Sequence, residues 1–362
     1  MKAVTDIALG QGGKGPAGGT IAPWGLLYGP FAKVAMILVT GGAGFIGSNI
    51  AAALAERGER VAVCDRLRQA DKWRNLAKVP LRDLVAPDAL LPWLKAHAGE
   101  VEAIVHLGAI SSTTESDADL ITEVNFRLSL ALWHWCAGLG KRFIYASSAA
   151  TYGGGEQGFD DDASPEGLAR LRPLNPYGWS KHLFDRWIAR DLSDGGARPP
   201  QWVGLKFFNV YGPNEYHKGT MRSVVAQKFP LAAGNQAVTL FRSERPDLPD
   251  GGQKRDFIYV RDCVEVTLWL LDHPAVSGLY NLGTGQARSF QDVASALFAA
   301  VKRPVRIEYV ETPPAVRSHY QYFTEARMER LRRAGYARPF TALEDGVRDY
   351  VERYLSQADP YR

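Results

Sequence analysis

The sequence predicts an α/β fold built on a doubly wound parallel sheet, with a smaller, mostly C-terminal α/β substrate region beside it. From Met36 onward, short apolar runs alternate with amphipathic stretches at helical spacing, which is typical of a parallel sheet with helices on both faces. The first apolar run ends in a glycine cluster that opens a helix. A chain of 362 residues can bury a large core and can hold two domains.

The strands are predicted where apolar runs are short and bounded by turn residues. They comprise residues 36–40, 60–65, 103–109, 142–148, 202–212, 255–262 and 278–285, the run at 202–212 being a long strand that leaves the sheet. Helices are predicted at residues 48–58, 126–140, 181–192 and 289–301. Gly58 stops the first helix, whereas Ser289 and Asp292 suit the N-cap and first turn of the last.

Composition excludes several classes of partner and site. The formal net charge of +4 is small for this length and no dense Lys/Arg block occurs, so we expect no nucleic-acid partner. Cys64, Cys136 and Cys263 are scattered and form no CxxC pair, which predicts no disulfide framework and no metal site, and fits a cytoplasmic location. No apolar stretch has the character of a membrane span, because the run from Ile21 is interrupted by Gly, Pro and Lys33.

The segment TGGAGFIG places Gly41, Gly44 and Gly47 at GxxGxxG spacing between a strand and a helix. Glycine at these positions permits a tight turn, lets the backbone approach a pyrophosphate and allows close helix–strand packing. The helix N-terminus then presents free N–H groups and a positive dipole to the phosphates. This context predicts a Rossmann-type dinucleotide-binding site.

The choice between NAD and NADP depends on the end of the second strand. Asp65 lies 18 residues after Gly47, where an acid normally bonds the adenosine ribose and favours NAD. Arg66 and Lys72 follow closely, and two cations there suit the extra phosphate of NADP, unless both simply face solvent. The sequence favours NADP, with NAD as the alternative.

These predictions divide the chain into three parts. Residues 1–35 are rich in Gly, Ala and Pro, and we expect a disordered extension or leader there. Residues 36–206 are predicted to form the dinucleotide-binding domain, with later strands near 255–285 returning to it. Residues 207–254 and 286–362 are assigned to the substrate domain, and residues 242–254 form its clearest flexible loop.

The segment PYGWSK provides the catalytic candidates. Tyr177 and Lys181 are four residues apart and share one helical face. A free tyrosine has a pKa of about 10, and an ammonium beside it favours the phenolate that can act as a base. Ser148, just past a strand end, suits a hydrogen bond to the substrate oxygen, with Ser147 as the alternative. Lys218, judged by residue type alone, is either a solvated loop lysine or a second proton donor and acceptor.

Residues 36–362 resemble the extended short-chain dehydrogenases/reductases that act on nucleotide sugars, and more narrowly the ADP-L-glycero-D-manno-heptose 6-epimerase family. The segments that carry the resemblance are ILVTGGAGFIGSNI, SSTTE, YASSAATYGG, YGWSKHLFD, FNVYGP, HKG followed by M, KRDFIYVRD, NLGTG and YQYFTEA. SSAATYGG together with HKG separates this family from 4-epimerases. Nucleotide-sugar dehydratases usually have Asp-Glu where this chain has Ala149 and Ala150.

The resemblance implies a role for each matching position. Tyr177 and Lys218 would be the two acid/base residues, with Lys181 supporting Tyr177. The residues implied to bind the cofactor are Phe45 and Ile46 over the pyrophosphate, Asp65, Arg66 and Lys72 around the ribose, Leu107, Gly108, Ala109, Ile110 and Ser111 along the groove, and Asn125, Lys181 and Val210. The residues implied to bind the substrate are Asn209 and Thr220, Phe241 near the nucleotide, and Arg255 and Tyr320 at the ADP diphosphate.

The activity implied is inversion of C6 of the heptose in ADP-D-glycero-D-manno-heptose, by transient oxidation to a ketone and re-reduction with bound NADP, for lipopolysaccharide core precursors. The alternatives are a UDP-hexose 4-epimerase or other nucleotide-sugar reductase, and a non-catalytic cofactor-binding regulator. The family also implies a homo-oligomer, a pentamer. The chain departs from the family pattern at Thr220, at Gln227, at residues 241–244 and in an enlarged loop before Tyr177.

Overall fold

The computed structural model of the chain describes residues 35–68, 71–313 and 321–362. Its strands are β1 (Met36–Thr40), β2 (Arg60–Cys64), β3 (Asp83–Val85), β4 (Val101–His106), β5 (Arg142–Ser148), β6 (Trp202–Phe207), β7 (Asn209–Tyr211), β8 (Val238–Phe241), β9 (Lys254–Tyr259), β10 (Gly278–Leu282), β11 (Ala287–Ser289) and β12 (Ile307–Val310). Seven of them form one parallel sheet in the order β3-β2-β1-β4-β5-β6-β10.

The helices are α1 (Phe45–Glu56), α2 (Leu90–Ala96), α3 (Ala118–Ile121), α4 (Leu128–Leu139), α5 (Pro165–Ala169), α6 (Pro176–Ser193), α7 (Val224–Ala233), α8 (Val260–Asp272) and α9 (Phe290–Ala300), followed by Glu329–Arg333 and Leu343–Tyr350. Short 3₁₀ segments include Asp71–Leu76, Ala149–Tyr152 and Tyr216–Met221, and π-helical turns span Thr122–Arg127 and Val351–Leu355. None of the helices in the described ranges is long and apolar enough to cross a membrane.

The large sheet is buried on both faces, as its apolar strands require. Every residue of β1 is buried, and Leu38 and Val39 have no solvent exposure. Strands covered by helices on both sides are continuous apolar runs because neither face meets water. The doubly wound parallel sheet predicted from the sequence is therefore confirmed.

The strand order reverses direction beside β1, and this creates the crevice that positions the site. The chain moves outward from β1 through β2 to β3, then returns to β4 on the other side of β1. In open α/β sheets, ligands bind outside the carboxyl ends of the strands at such a switch point. The glycine loop at 41–44 follows β1, and residues 107–111 follow β4, so both lie at this crevice.

The remaining strands make two small sheets, β11-β9-β7 and β12-β8. Residues 202–212, predicted as one long strand, are two strands in different sheets. The Phe208 N–H still bonds to the Leu282 carbonyl in the large sheet, whereas Asn209 already pairs with Phe257 in the small one. Strands near residues 255–285 are predicted to return to the dinucleotide-binding domain. Of these, β10 lies in the large sheet, whereas β9 lies in the small sheet β11-β9-β7. A second apolar cluster, including Val293, packs around the small sheets.

Several local predictions are confirmed and one lies outside the described chain. Ser289 caps α9 in a capping box with Asp292, the Asp292 N–H donating to the Ser289 hydroxyl at 3.0 Å. Gly58 follows the end of α1 with φ +79°, a conformation that favours glycine. The extension expected at residues 1–35 falls, except for Ala35, outside the described residues.

Candidate active site

The glycine loop is packed so closely that side chains are excluded at its key positions. Gly41 has φ +66°, and a Cβ there would lie 2.6 Å from the Gly108 nitrogen. A Cβ on Gly47 would lie 2.2 Å from the Gly41 carbonyl oxygen. Because these neighbours are backbone atoms, the loop cannot yield to a larger residue. It holds the N-terminus of α1 directly against the end of β1, with no acidic residue in the first helical turn.

The free N–H groups at the start of α1 and the absence of acid in its first turn make this end of the crevice suitable for an anion. Phe45 and Ile46 are the first two residues of α1 and Gly44 is its N-cap, so the residues predicted to lie over a pyrophosphate are at the helix N-terminus. The cradle therefore fits the diphosphate of a dinucleotide.

Asp65 directly follows β2 and holds the glycine loop in place. Its carboxylate accepts from the backbone N–H of Ala43 at 2.9 Å and of Arg66 at 2.7 Å. The Lys72 ammonium lies 2.5 Å from the same carboxylate and both side chains are largely buried. The Arg66 guanidinium instead extends to Asp88 at 2.6 Å in an exposed ion pair. Lys72 is therefore a structural partner of Asp65, whereas Arg66 is accessible.

The groove after β4 is held by Asn125. Its side chain accepts from the Ile110 N–H at 2.8 Å and donates to the Ile110 carbonyl at 3.0 Å. The same amide donates to the Ser180 hydroxyl at 3.0 Å, which in turn donates to the Tyr177 carbonyl at 2.7 Å. Asn125 thus ties residues 107–111 to the first turn of α6. It lies in the π-helical turn Thr122–Arg127, a distortion that frequently marks functional sites.

Ser148 and Tyr177 are brought together by close packing of α6 on the end of β5. Asn175 caps α6 and Pro176 occupies its first turn, which starts the helix just before Tyr177. A Cβ on Gly178 would lie 2.7 Å from the Ala150 carbonyl oxygen, so only glycine allows this approach. Burial raises the pKa of the half-buried Tyr177 phenol, and a hydrogen bond with Ser148 opposes that rise.

The two serines at the end of β5 have different environments. The Ser147 hydroxyl donates to the buried Asp185 carboxylate at 2.6 Å, pointing into the core. The Ser148 hydroxyl caps the following 3₁₀ turn, accepting from the Ala150 N–H at 3.1 Å, and lies beside Tyr177. This supports Ser148 over Ser147 as the serine that faces a substrate.

Lys181 lies one turn after Tyr177 on α6 and is only 4% exposed. Burial lowers its pKa to about 8, and the Asp185 carboxylate opposes that change. The ammonium form is therefore present near neutral pH but is close to its titration. Such a group favours a neighbouring phenolate without being permanently charged.

Lys218 is a half-buried residue of the 3₁₀ segment Tyr216–Met221 and does not extend freely into solvent. Its ammonium lies 5.6 Å from the centre of the Phe45 ring at the start of α1. Burial lowers the pKa of Lys218, and the buried Glu215 carboxylate opposes this. The lysine is thus placed on the β1 side of the crevice with a perturbed ammonium.

Three polar side chains hold the Lys218 segment in place. The Glu215 carboxylate accepts from the Ser223 hydroxyl at 2.6 Å and from Tyr350 at 3.2 Å. The buried Asn75 amide donates to the Ala43 carbonyl at 2.9 Å and lies 3.2 Å from the His217 ring nitrogen. Gln227, one of the positions at which the chain departs from the family pattern, donates to the Thr220 and Arg222 carbonyls at 3.0 and 2.6 Å.

The residues predicted to touch substrate are spread over several elements. Asn209 and Thr220 are exposed, and Phe241 ends β8 half-buried. Val210, predicted to bind the cofactor, packs half-buried against the large core. The buried Arg255 guanidinium donates to the carbonyls of Lys254 and Gln321 and lies 5.6 Å from the Phe290 ring centre. Tyr320 lies outside the described residues.

Sequence reasoning missed three residues that shape this site. Asn75 links the glycine loop to His217, yet no local pattern identifies it. Lys206 is fully buried in β6. A lysine within the apolar run WVGLKFF could have indicated a buried charged residue from the sequence alone. Asp185, its partner at 3.2 Å, belongs to the YGWSKHLFD segment, but its role required the fold to be known.

Residues 37–283 match the NAD dependent epimerase/dehydratase family. The chain is 50% identical over 335 residues to a protein of Nitratidesulfovibrio vulgaris (strain DP4) named ADP-L-glycero-D-manno-heptose-6-epimerase, a match covering 90% of this chain and 100% of that protein. A Fusobacterium nucleatum protein of the same name is 45% identical with the same coverage.

Solved structures extend the comparison. The ADP-L-glycero-D-manno-heptose-6-epimerase of Helicobacter pylori superposes with a TM-score of 0.71 at 29% identity, covering 89% of this chain and 96% of that chain. The UDP-glucose 4-epimerase of Thermus thermophilus, solved in complex with NAD, has a TM-score of 0.68 at 28% identity, covering 88% of this chain and 98% of that chain.

Proposed function

Because the chain belongs to the NAD dependent epimerase/dehydratase family, we propose that it inverts C6 of the heptose in ADP-D-glycero-D-manno-heptose. Its relatives at 45–50% identity are ADP-L-glycero-D-manno-heptose-6-epimerases. The observation that carries this proposal is the placement of two proton-handling groups on different elements. Tyr177 lies at the β5 side of the crevice, and Lys218 lies beside Phe45 at the β1 side. β4 separates those two strands in the sheet.

Two acid/base groups suit an epimerisation because the reacting oxygen points in different directions before and after the sugar turns. The chemistry supplied by a bound nicotinamide dinucleotide is reversible acceptance of a hydride. Tyr177, made more acidic by Lys181, exchanges the hydroxyl proton in one orientation, with Ser148 hydrogen-bonded to the same oxygen. Lys218 exchanges it in the other. General acid–base catalysis requires a group within hydrogen-bond reach in each case.

We assign NADP rather than NAD as the preferred dinucleotide. Asp65 is already occupied by Lys72 and by two backbone N–H groups, so it is a weaker partner for a ribose hydroxyl. The exposed Arg66 guanidinium can exchange Asp88 for a phosphate at low cost, since exposed ion pairs contribute about 1 kcal/mol or less.

From the same family membership we propose that the enzyme is cytoplasmic and supplies lipopolysaccharide core precursors. We also propose that it forms a homo-oligomer, a pentamer, and native mass spectrometry tests this oligomeric state.

The activity is tested by incubating the purified protein with ADP-D-glycero-β-D-manno-heptose without added cofactor and following the configuration at C6 by NMR. We expect the L-glycero epimer to accumulate, because the hydride is returned and the dinucleotide stays bound. Absence of that epimer at high enzyme concentration would overturn the proposal. Denaturing the same sample and identifying the released dinucleotide by mass spectrometry distinguishes NADP from NAD.

A further inference from the structure

A fully buried ion pair joins α6, the helix that carries Tyr177 and Lys181, to strand β6. The Lys206 ammonium of β6 is 3.2 Å from the Asp185 carboxylate of α6, and neither side chain has any solvent exposure. Buried ion pairs are weak sources of stability, because a well-packed apolar pair of similar volume is often as stable or more stable. Their presence therefore calls for a role other than holding the fold together.

Hydrogen bonds connect this ion pair to residues on both sides of the candidate site. Asp185 is one helical turn after Lys181, and it accepts from Ser147, the neighbour of Ser148, at 2.6 Å. Lys206 donates to the Thr151 hydroxyl at 2.7 Å, which donates to the Ser148 carbonyl at 2.8 Å. The carboxylate thus supports the helix that carries Tyr177 and Lys181, and the ammonium supports the turn that carries Ser148.

We propose that Asp185 and Lys206 are positioning residues that hold Ser148 against Tyr177 and Lys181 and set the electrostatic potential at the Tyr177 phenol. The proposal deepens the proposed function, on which it rests for its assignment of Tyr177 as an acid/base group. With both charges present, the cluster formed by Lys181, Asp185 and Lys206 has one net positive charge. Burial lowers the pKa of Lys206, and the Asp185 carboxylate opposes this. Removing one member of the pair while the other keeps its charge changes the net charge by one unit, in opposite directions for the two members.

Titratable groups on five neighbouring segments face this cluster. They are His106 from β4, Tyr145 from β5, Tyr152 from the turn after β5, Asp161 from the loop before α5, and His182 from α6. Burial lowers the pKa of His106 to about 3 and that of His182 to about 4, so both rings stay neutral near pH 7. Burial raises the pKa of both tyrosines, so they also stay neutral. Burial raises the pKa of Asp161 to about 6, so this carboxyl group titrates within the pH range of the test, and it is present in every variant compared.

The test is the pH dependence of kcat/KM in the intact protein with its dinucleotide. Asp185→Asn keeps an acceptor for one of the two hydroxyls of Tyr145 and Ser147 and presents an amide N–H to the other. It removes a negative charge, so the Tyr177 phenolate is favoured and the acidic limb of the kcat/KM profile moves to lower pH. Lys206→Gln keeps a donor to Thr151 but removes a positive charge, so the limb moves to higher pH. Each shift is expected to be about one pH unit, the order expected for one buried charge at an effective dielectric constant of about 20.

Two further variants separate electrostatics from packing. The double variant Asp185→Asn/Lys206→Gln restores the net charge, and its limb should return to the wild-type position even if activity is reduced. It also removes both buried charges, so it should fold where a single variant does not. Lys206→Arg keeps the charge and should leave the limb in place. The inference would be overturned if the acidic limbs of both single variants coincided with that of the wild type. It would also be overturned if the two single variants moved the acidic limb in the same direction.

A second readout does not depend on the sugar. Ultraviolet difference titration records formation of the Tyr177 phenolate when Tyr177→Phe is subtracted, and it should show the same opposite shifts in the two single variants. If the wild type does not turn over ADP-heptose but the phenolate titrations shift as expected, the proposed function fails and the inference stands. If turnover is observed and the titrations coincide, the inference alone fails.

Discussion

At the scale of single residues, Lys218 is the side chain that distinguishes the proposed reaction from its nearest alternative. Lys218→Ala should lower kcat for epimerisation at C6 by about 100-fold or more, because one orientation of the substrate oxygen loses its acid/base group. The product is followed by NMR. Tyr177→Phe should have a comparable effect.

Lys228→Ala is the matched control for Lys218. This lysine lies on α7, bonds the Thr239 hydroxyl at 2.7 Å, and should change kcat by no more than about twofold, since it lies outside the constellation of Tyr177, Lys181 and Lys218. A Lys218→Ala protein of normal activity would contradict the two-residue mechanism and would favour a UDP-hexose 4-epimerase that relies on Tyr177 alone.

Lys181 predicts the behaviour of the enzyme at alkaline pH. Burial lowers its pKa to about 8, so the ammonium is present below that pH and is lost above it. Because the ammonium favours the Tyr177 phenolate, kcat/KM should fall as the pH rises through about 8. Lys181→Arg keeps its charge at every accessible pH and should abolish this limb, whatever its effect on the plateau. A wild-type profile that stays flat to about pH 10 would refute the assignment.

Arg66 tests the preference for NADP. Arg66→Ala should weaken NADP binding by about tenfold and leave NAD binding within about twofold, because one charge-assisted contact to a phosphate contributes roughly 1.5 kcal/mol. Calorimetry on protein stripped of its dinucleotide measures both affinities. Asp88→Ala, which removes the exposed partner of Arg66, is the control and should not weaken NADP binding. Equal losses for the two dinucleotides would argue against a 2′-phosphate contact.

The residue types that carry the chemistry could be found from the sequence because each sits in a local pattern. Gly41, Gly44 and Gly47 follow a GxxGxxG spacing where a strand is succeeded by a helix, and Tyr177 and Lys181 are spaced by one turn. Asn75 could not be found in this way. Its partners, Ala43 and His217, are remote in sequence and meet only when the fold is complete.

At the scale of elements, the glycine loop is the junction least tolerant of change. Gly47→Ala places a methyl group 2.2 Å from the Gly41 carbonyl oxygen, so strand and helix must separate. We expect a loss of about 3 kcal/mol or more in the free energy of unfolding, together with loss of the co-purified dinucleotide. Thermal unfolding and mass spectrometry measure the two effects.

Gly138→Ala provides the opposite control for the same chemical change. Gly138 lies inside α4, and apart from the adjoining residues and backbone of its own helix, no atom of the described chain lies within 4 Å of a Cβ there. Alanine should therefore stabilise the helix by up to about 1 kcal/mol and leave the dinucleotide bound. A Gly47→Ala protein as stable as Gly138→Ala would mean that the tight β1–α1 contact is not required.

Element boundaries could be predicted where a local device marks them. The capping box at Ser289 and the stop at Gly58 are of this kind. The division of residues 202–212 at Phe208 could not be predicted, because apolar alternation is the same on both sides. The division arises from a change of partner, from β10 to β9, which no local pattern encodes.

At the scale of the whole molecule, the crevice depends on the C-terminal residues, which pack between two segments of the site. Tyr361 lies edge-on to the Tyr216 ring, with centroids 5.1 Å apart, and the Arg74 guanidinium lies 4.4 Å from its centre. Tyr216 donates to the Pro360 carbonyl at 2.8 Å. Residues 71–76, which include Lys72 and Asn75, are thereby joined to the segment that carries Lys218.

This arrangement predicts that Tyr361→Ala acts on catalysis from a distance. Loss of the ring should loosen residues 216–221, lower kcat by about tenfold and speed their amide hydrogen exchange, because local opening costs less when buried contacts are removed. Tyr361→Phe keeps both ring contacts and should behave as wild type. Arg353→Ala removes an exposed guanidinium that pairs with Asp349 in the same C-terminal region, and because Asp349 keeps Tyr259 and Arg261 as partners it should change stability by about 0.5 kcal/mol or less. Unchanged exchange at 216–221 in Tyr361→Ala, despite a fall in stability, would show that the tail supports the fold but does not position Lys218.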